Sequence, residues 1–548
     1  MSRSLSLAPP SKRPLLPAAV AGAAIAVVVL ALPAVWWGPL NVDEELTLRV
    51  ADFSFGHVFH IVSTERGGGP VHFWLEHFLQ GWWPGLPALR VPSLIFLVLA
   101  LPAVALIARE VLGEEEAAAV VLLTAVSPVP ITYATFGRPH TLLFAWLMWS
   151  TVLALRAARS GSRTLWVLAG AALGLSVLVH PTAPLYALVA FAAVLLYAPR
   201  ARDAWPGAVA LLVTFLPYYV KTLHVLDNRY GVGATRGGQR TFDGLPVWED
   251  ALQFVAPGGH DLNYFTVLAL VGVVALVLTR RFRLLLFCAV TVAAPVVFFT
   301  VIPANGDSAL FFDRYMMPVT PAFLVLVLAG IAALARWAGP ARLPVIALLV
   351  AGLMAIELHD DVTRRNQVHG IRLDAVTHAV AREASDAVLF GSTGGTGPEW
   401  STFDYGHPPN ILDHYVSLRV DVPLVDDDAC ARVAPFLLGA QTPRHGLWLF
   451  YSVNGLSPFG SFAGVTVARP TPSYSVVRST AALPPRRLVE LGRRLRLAWR
   501  AADPVDARVN ELLIADRDAL RAPGSCPAYG QLGDPDISPH WPPVKGPQ

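Results

Sequence analysis

Three acids, Asp43, Glu44 and Glu45, stand a few residues past an apolar run that ends near Trp37. A carboxylate at a membrane–water boundary is partly desolvated, which raises its proton affinity and makes it a better base. The same NVDEE stretch also fits a plainer role, with Asn41 or Asp43 capping a helix whose first turn favours acids. Cations and rings recur at the ends of later apolar runs: Arg138 and His140 in FGRPH, then His180, then Lys221 and His224, then Asp313, Arg314 and Tyr315. A guanidinium at a partly desolvated site suits a phosphate. At ~4 Å and an effective dielectric near ~20, one such pair is worth roughly 4 kcal/mol before desolvation. Expressed only as charge develops on a leaving group, that is about a thousandfold in rate. Taken singly, each of these residues reads more simply as an interfacial side chain with its stem in lipid and its head in water. Their shared level is what points to a site.

The loop that carries the acids holds further groups. Residues 71–79 read VHFWLEHFL, in which Val71, Trp74, Leu75, Phe78 and Leu79 make one apolar helical face while His72 and Glu76 share the other. The run is too short to span and is followed by Trp82 and Trp83, so a helix lying in the membrane interface is expected. Residues 45–62 are expected to form a second one. His72 is a candidate substrate contact. His57, His60, His72 and His77 share the loop with Glu65 and Glu76, but without HExxH or a similarly tight motif. No cofactor is firmly implied, and a divalent metal stays open. Gly67, Gly68 and Gly69 before Pro70 read as a turn.

The elements that must position these groups follow from composition. Of 548 residues, 54% are hydrophobic and 15% charged, and the mean hydropathy is +0.51. Soluble domains carry about 25% charged residues, so this chain is not a typical soluble enzyme, nor a disordered or collagen-like one. Its net charge of +3 gives no support to a nucleic-acid partner. The solvent for much of it is the lipid bilayer. Eleven apolar runs are predicted as spans: 15–38, 91–108, 117–134, 140–155, 164–179, 185–198, 206–224, 262–279, 284–302, 315–335 and 343–358. Pro181 and Pro184 mark either a turn or a kink in the 164–198 stretch. With a cytoplasmic N-terminal tail (1–14), the inside segments hold 14 Lys and Arg in 48 residues and the short outside loops 8 in 111. That bias of about fourfold favours this orientation. Residues 15–358 then form the membrane domain, with an outside first loop at 39–90, and residues 359–548 lie outside the cell. Three lysines among 42 basic residues, with heavy Ala, Val and Pro use, read as a GC-rich bacterial genome and a bacterial plasma membrane.

The tail has ordinary charge density and no spanning run. DAVLF (386–390) and HGLWLFYSV (445–453) read as strands, and 371–385 and 485–521 as helices, giving a small α/β or α+β domain. Cys430 and Cys526 are a disulfide candidate if that domain is outside. GSTGGTGPEW (391–400) lacks the spacing of known phosphate loops, and Asp426, Asp427 and Asp428 lack that of a calcium loop, so both read as ordinary turns.

Several of these stretches together resemble the GT-C-type membrane glycosyltransferases, which include protein O-mannosyltransferases, aminoarabinose transferases and a bacterial mannosyltransferase-like group. NVDEELTLRV resembles the acidic first-loop motif, and LRVPSLIFLVLALPAVALIAREVLG (89–113) the second span with its turn. FGRPHTLLFAWL (136–147) resembles the aromatic-Arg-Pro-Tyr entry to the fourth span, with His140 in place of Tyr. FFDRYMMPVTPAFLVLVLAG (311–330) resembles the Arg-Tyr-x-x-Pro late span, and LDAVTHAVAREASDAVLFGS the opening of the outer domain. Where the family commonly has His-Pro-Pro-Leu, this chain reads GGGPVHFWL. The resemblance covers residues 15–400 loosely. It implies a mainly α, polytopic, GT-C-like helix bundle that transfers a sugar, with inversion, from a polyprenyl-phosphate donor to a hydroxyl outside the cell. The acceptor would be a cell-envelope glycan, a lipid-linked glycan or a protein. Asp43 would be the base or acceptor-orienting acid with Glu44 beside it. Arg138 and Arg314 would contact phosphate or sugar, and His180 and Tyr315 would be further contacts. His140 and Lys221 complete the candidate substrate set. The competing readings are a transporter or flippase, which would place ionisable groups at the bilayer midplane, and an assembly protein whose tail binds the cell wall.

Overall fold

A computed structural model describes residues 15–37, 44, 47, 50–51, 53–63, 69–83, 86–198, 201–230, 262–301, 313–368, 387–393, 446–452, 465–471 and 474–479. Among the described residues each of the eleven apolar runs lies mostly in helix, the 117–134 run being broken at Ser127. In chain order the helices are α1 (Leu15–Trp37), α2 (Phe55–Ile61), α3 (Pro70–Trp82), α4 (Leu86–Val111), α5 (Glu114–Val126), α6 (Pro128–Ala134), α7 (His140–Ser160), α8 (Arg163–Leu175) and α9 (Ala183–Tyr197). They continue as α10 (Trp205–Tyr230), α11 (Leu262–Leu278), α12 (Phe282–Val301), α13 (Asp313–Met316), α14 (Thr320–Ala335) and α15 (Arg342–Val368). Among the described residues, five helices are long and apolar enough to cross a membrane, or six if the bent pair α5–α6 is one span.

Local sequence explains most of the punctuation. Gly161 ends α7 in the left-handed conformation (φ 68°) and donates back to Ala157, as a helix C-terminus favours. Ser162 then caps α8 by accepting from the Leu165 N–H at 3.4 Å. Three glutamates, Glu114, Glu115 and Glu116, fill the first turn of α5, where the helix dipole favours them. Ser127 and Pro128 break α5 from α6 with a 55° bend. Pro184 sits in the first turn of α9, so the Pro181–Pro184 stretch is a turn between two helices and not a kink.

Packing of the bundle uses small residues where helices meet. A Cβ on Gly272 of α11 would overlap the Leu326 carbonyl of α14, and one on Gly330 would overlap the Leu268 carbonyl. Backbones in lipid approach this closely only through glycine or similarly small residues. Outward faces remain apolar, as expected of a lipid-facing surface: Val29, Leu99, Val213, Val274 and Leu348 are all exposed.

α3 differs from a simple amphipathic surface helix. Its polar side is the buried one, with His72, Phe73 and Glu76 facing the protein, while Phe78 and Trp82 are 62% and 85% exposed. An interfacial helix that presents its aromatic face to lipid has this arrangement. Trp74 of α3 stacks on Phe55 and Phe59 of α2, at ring separations of 4.5 and 5.8 Å, which ties the two short helices together.

The described tail residues form a four-stranded mixed sheet, treated as a unit of its own. β1 (Ala387–Thr393) runs parallel to β2 (Gly446–Ser452), β2 pairs antiparallel with β4 (Tyr474–Ser479), and β4 pairs antiparallel with β3 (Val465–Thr471). The two expected strands are thus present, one parallel to the other, with Ala387 opposite Gly446. The expected helices at 371–385 and 485–521, and Cys430 and Cys526, lie outside the described residues.

Candidate active site

The connection between α6 and α7 is only five residues, Thr135 to Pro139, and it carries Arg138. The Arg138 N–H donates to the Phe136 carbonyl at 2.7 Å, closing a tight i to i+2 turn. Ser93 of α4, itself buried, donates its hydroxyl to Phe136 O at 2.7 Å, with Arg138 O a longer second acceptor at 3.3 Å. His72 of α3 reaches Gly137 O through Nε2 at 3.2 Å. A carbonyl only accepts, so Nε2 carries the proton. Burial, helped by the positive charge of Arg138, pulls the His72 pKa down to about 3, so the ring is neutral at physiological pH. From this turn the Arg138 guanidinium donates through Nη1 to the Thr47 hydroxyl at 3.2 Å, and Thr47 is fully buried.

His140 opens α7 directly after this turn. Its ring lies 5.1 Å from that of Tyr133 on α6 and 5.1 Å from that of His180, in the α8–α9 turn. Tyr315 of α13 completes the group, 6.4 Å from His140 and 5.9 Å from His180. Tyr315 stacks on Phe299 of α12 at 5.2 Å, and its backbone carbonyl accepts from the Tyr186 hydroxyl of α9. The Thr182 N–H donates to His180 Nδ1 at 3.1 Å, which leaves the proton of the neutral ring on Nε2. His140, His180 and Tyr315, scattered over 176 positions of sequence, therefore form one aromatic–imidazole cluster beside the Arg138 turn.

The N-termini of α7 and α9 both open here, and Gly69, just before α3, packs so close to Leu178 and Val179 that a Cβ there would overlap their backbone. Helix N-termini carry partial positive charge and unpaired N–H groups. Towards the interior of the bundle lies an apolar pocket, lined by Val104, Leu147, Tyr186, Phe287, Thr291 and Val325 among others. Tyr186 belongs to both: its ring lines the pocket and its hydroxyl holds the backbone of Tyr315.

The remaining expected residues fall as follows. Glu44 is helical and fully buried, while Asp43 lies outside the described residues. Arg314 is in α13, with its side chain outside the described set. Lys221 of α10 sits elsewhere, with Nζ 4.3 Å from the centre of the Phe59 ring, a cation–π contact. The first-loop histidines are engaged locally: His77 Nδ1 donates to Ala51 O at 2.7 Å, and His57 stacks on Phe53 at 4.7 Å. Among the described residues no group of three or more His, Cys, Asp or Glu could hold a metal ion. Sequence reasoning missed Arg90 and Ser93. Arg90 is 1% exposed on α4 and donates through Nη1 to Ala34 O at 3.0 Å, one of the last carbonyls of α1, which have no partner within the helix. The signal for both was polar side chains in the first two turns of an otherwise apolar helix.

Comparison with known proteins agrees with this architecture. Residues 69–220 match the family described as dolichyl-phosphate-mannose-protein mannosyltransferase. The crystal structure of ArnT from Cupriavidus metallidurans bound to undecaprenyl phosphate superposes with a TM-score of 0.55 at 14% identity, covering 86% of this chain and 100% of that one. The apo form of the same protein gives 0.51 at 14% identity, with 85% and 100% covered. No curated protein matches the sequence significantly. The chain has the fold of the GT-C-type membrane glycosyltransferases.

Proposed function

We propose that this protein is an inverting integral-membrane glycosyltransferase that moves a hexosyl or pentosyl group from a polyprenyl-phosphate donor to a hydroxyl outside the cell. The observation that carries the reading is the meeting of His140, His180 and Tyr315 at one end of the bundle, with Arg138 two residues before His140 in the turn that leads into α7. The family match over 69–220 spans three of those four residues. ArnT binds undecaprenyl phosphate, and the apolar pocket behind Tyr186 gives a prenyl chain somewhere to lie.

In the proposed reaction the acceptor hydroxyl oxygen attacks the anomeric carbon. The bond from that carbon to the phosphate oxygen breaks, and polyprenyl phosphate leaves from the opposite face. Asp43 takes the hydroxyl proton, with Glu44 beside it in sequence. Arg138 and Arg314 offset the charge that grows on the leaving phosphate, worth roughly 4 kcal/mol for one pair at ~4 Å. His140, His180, Tyr315 and, at the periphery, Lys221 line the path of donor and sugar. The acceptor is a cell-envelope glycan, a lipid-linked glycan or a protein. The N-terminus is cytoplasmic and residues 359–548 lie outside.

Asp43→Asn should abolish transfer while leaving expression and donor binding intact; wild-type product from that variant removes the base assignment. Reporter fusions after residues 340 and 360 should report opposite sides of the membrane, and two cytoplasmic signals would end the site assignment. A deletion strain should lack one envelope sugar and accumulate its prenyl-phosphate form.

A further inference from the structure

We propose that His72 and Ser93 are positioning residues: by holding three successive carbonyls of the Phe136–Arg138 turn they fix the direction in which Arg138 presents its guanidinium. The inference rests on the reading of Arg138 as a donor-phosphate contact. Its own basis is geometric. The turn has few degrees of freedom left, because its ends are the last residue of α6 and the first of α7. Phe136 O is held by Ser93 Oγ at 2.7 Å and by the Arg138 N–H at 2.7 Å, Gly137 O by His72 Nε2 at 3.2 Å, and Arg138 O by Ser93 Oγ at 3.3 Å. Gly137 also packs closely on α4, since a Cβ on it would overlap the Leu89 side chain. The two holding residues come from different helices, α3 and α4, so the turn is clamped from two directions.

His72 is suited to hold and not to titrate. It is 1% exposed, and its ring stays neutral because burial and the adjacent Arg138 charge both oppose a second proton. A neutral ring with its proton on Nε2 is a fixed single donor toward Gly137. Losing that donor removes one of the bonds that hold the Gly137 peptide plane. A displacement of about 1 Å at a reacting group costs on the order of a hundredfold in rate, so small movements of this turn have large consequences for transfer.

The test is donor kinetics of the full-length protein in detergent or vesicles with a synthetic polyprenyl-phosphate sugar. His72→Leu should lower kcat/KM for the donor by roughly 10- to 100-fold without changing the KM for acceptor. His72→Gln, whose amide nitrogen replaces Nε2, should recover most of that loss and keep the wild-type shape of the pH–rate profile between pH 5 and 8. In an Arg138→Ala background, His72→Leu should cost little more, because the group it aims is gone. Multiplying losses in that double variant, or failure of His72→Gln to rescue, would assign His72 a merely structural role and overturn the inference. A pH limb lost in His72→Gln would make it an acid or base instead and would equally overturn it. If Arg138→Ala alone leaves donor kinetics unchanged, the donor-phosphate reading itself has failed, which is a separate result. Should His72→Leu not fold, Ser93→Ala tests the same clamp and should show a smaller, donor-specific loss of about 3- to 10-fold; an acceptor-specific loss or none would count against the clamp.

Discussion

The two ends of the helix bundle use charge in different ways. At the arginine-rich end, guanidinium groups close on carboxylates and helix carbonyls. Arg342 of α15 pairs with the buried Glu116 of α5 at 2.8 Å, Arg159 of α7 pairs with Glu110 of α4 at 2.7 Å, and Arg281 donates to Val111 O at 3.3 Å. The two ion pairs join helices to each other, and Arg281 ties the α11–α12 turn to the end of α4. At the opposite end, hydroxyls and a neutral imidazole hold the backbone of a turn, and Arg138 donates to a threonine hydroxyl. Charge at the first end fastens helices together. At the second end neutral groups hold the Phe136–Arg138 turn, while Arg90 ties α4 to the last turn of α1 and Arg138 donates to Thr47.

Substitutions that move cost from one end to the other would sharpen this contrast or break it. Arg138→Ala should have the largest effect, a loss of about a thousandfold in donor kcat/KM with little change in thermal stability. An equal loss of stability would mean that Arg138 is a fastener like Arg342. Glu116→Ala should do the reverse, lowering stability by roughly 2–3 kcal/mol because Arg342 is left partly buried without its partner, while donor kinetics stay as they were. Thermal unfolding in detergent micelles reads both. Next comes acidification. His72 takes up its proton near pH 6.5 when unfolded but only near pH 3 when folded. The unfolded chain therefore binds more protons between those values, and stability should fall as pH drops from about 6.5 toward 3. His72→Gln should flatten that slope; an unchanged slope would assign the acid sensitivity to other groups. The smallest effect belongs to Arg159→Ala. That side chain is 71% exposed, and an exposed pair contributes about 0–1 kcal/mol, so a loss above that range would show the pair to be more buried in the bilayer than in the bundle alone.

Both ends were visible in the sequence to different degrees. The arginine-rich end was legible as a count, because positive residues cluster between apolar runs and that clustering sets orientation. Its pairing was not, since Arg342 and Glu116 are 226 positions apart. At the other end the residue types were legible at Arg138, His140, His180 and Tyr315, but Ser93 was hidden inside an apolar helix and reads there as an ordinary small residue. His72 shows how a correct pattern can leave the contact open. Its alternation with Trp74 and Phe78 gave the helix and the two faces, and the structure turns the polar face inward and leaves Phe78 and Trp82 exposed.

Composition and periodicity by themselves determined that this chain lives in a bilayer, that its apolar runs are helical, and that two strands lie in its tail. These are properties of residues close in sequence and of the solvent they require. Only the tertiary structure decided that His140, His180 and Tyr315 share one cluster, that a neutral His72 grips Gly137, and that Tyr186 lines an apolar pocket while its hydroxyl holds Tyr315. Those facts depend on the rotation and depth of each helix against its neighbours. Rotation and depth are set by small-residue contacts such as Gly272 against Gly330 and by buried polar bonds, neither of which leaves a local pattern in the chain.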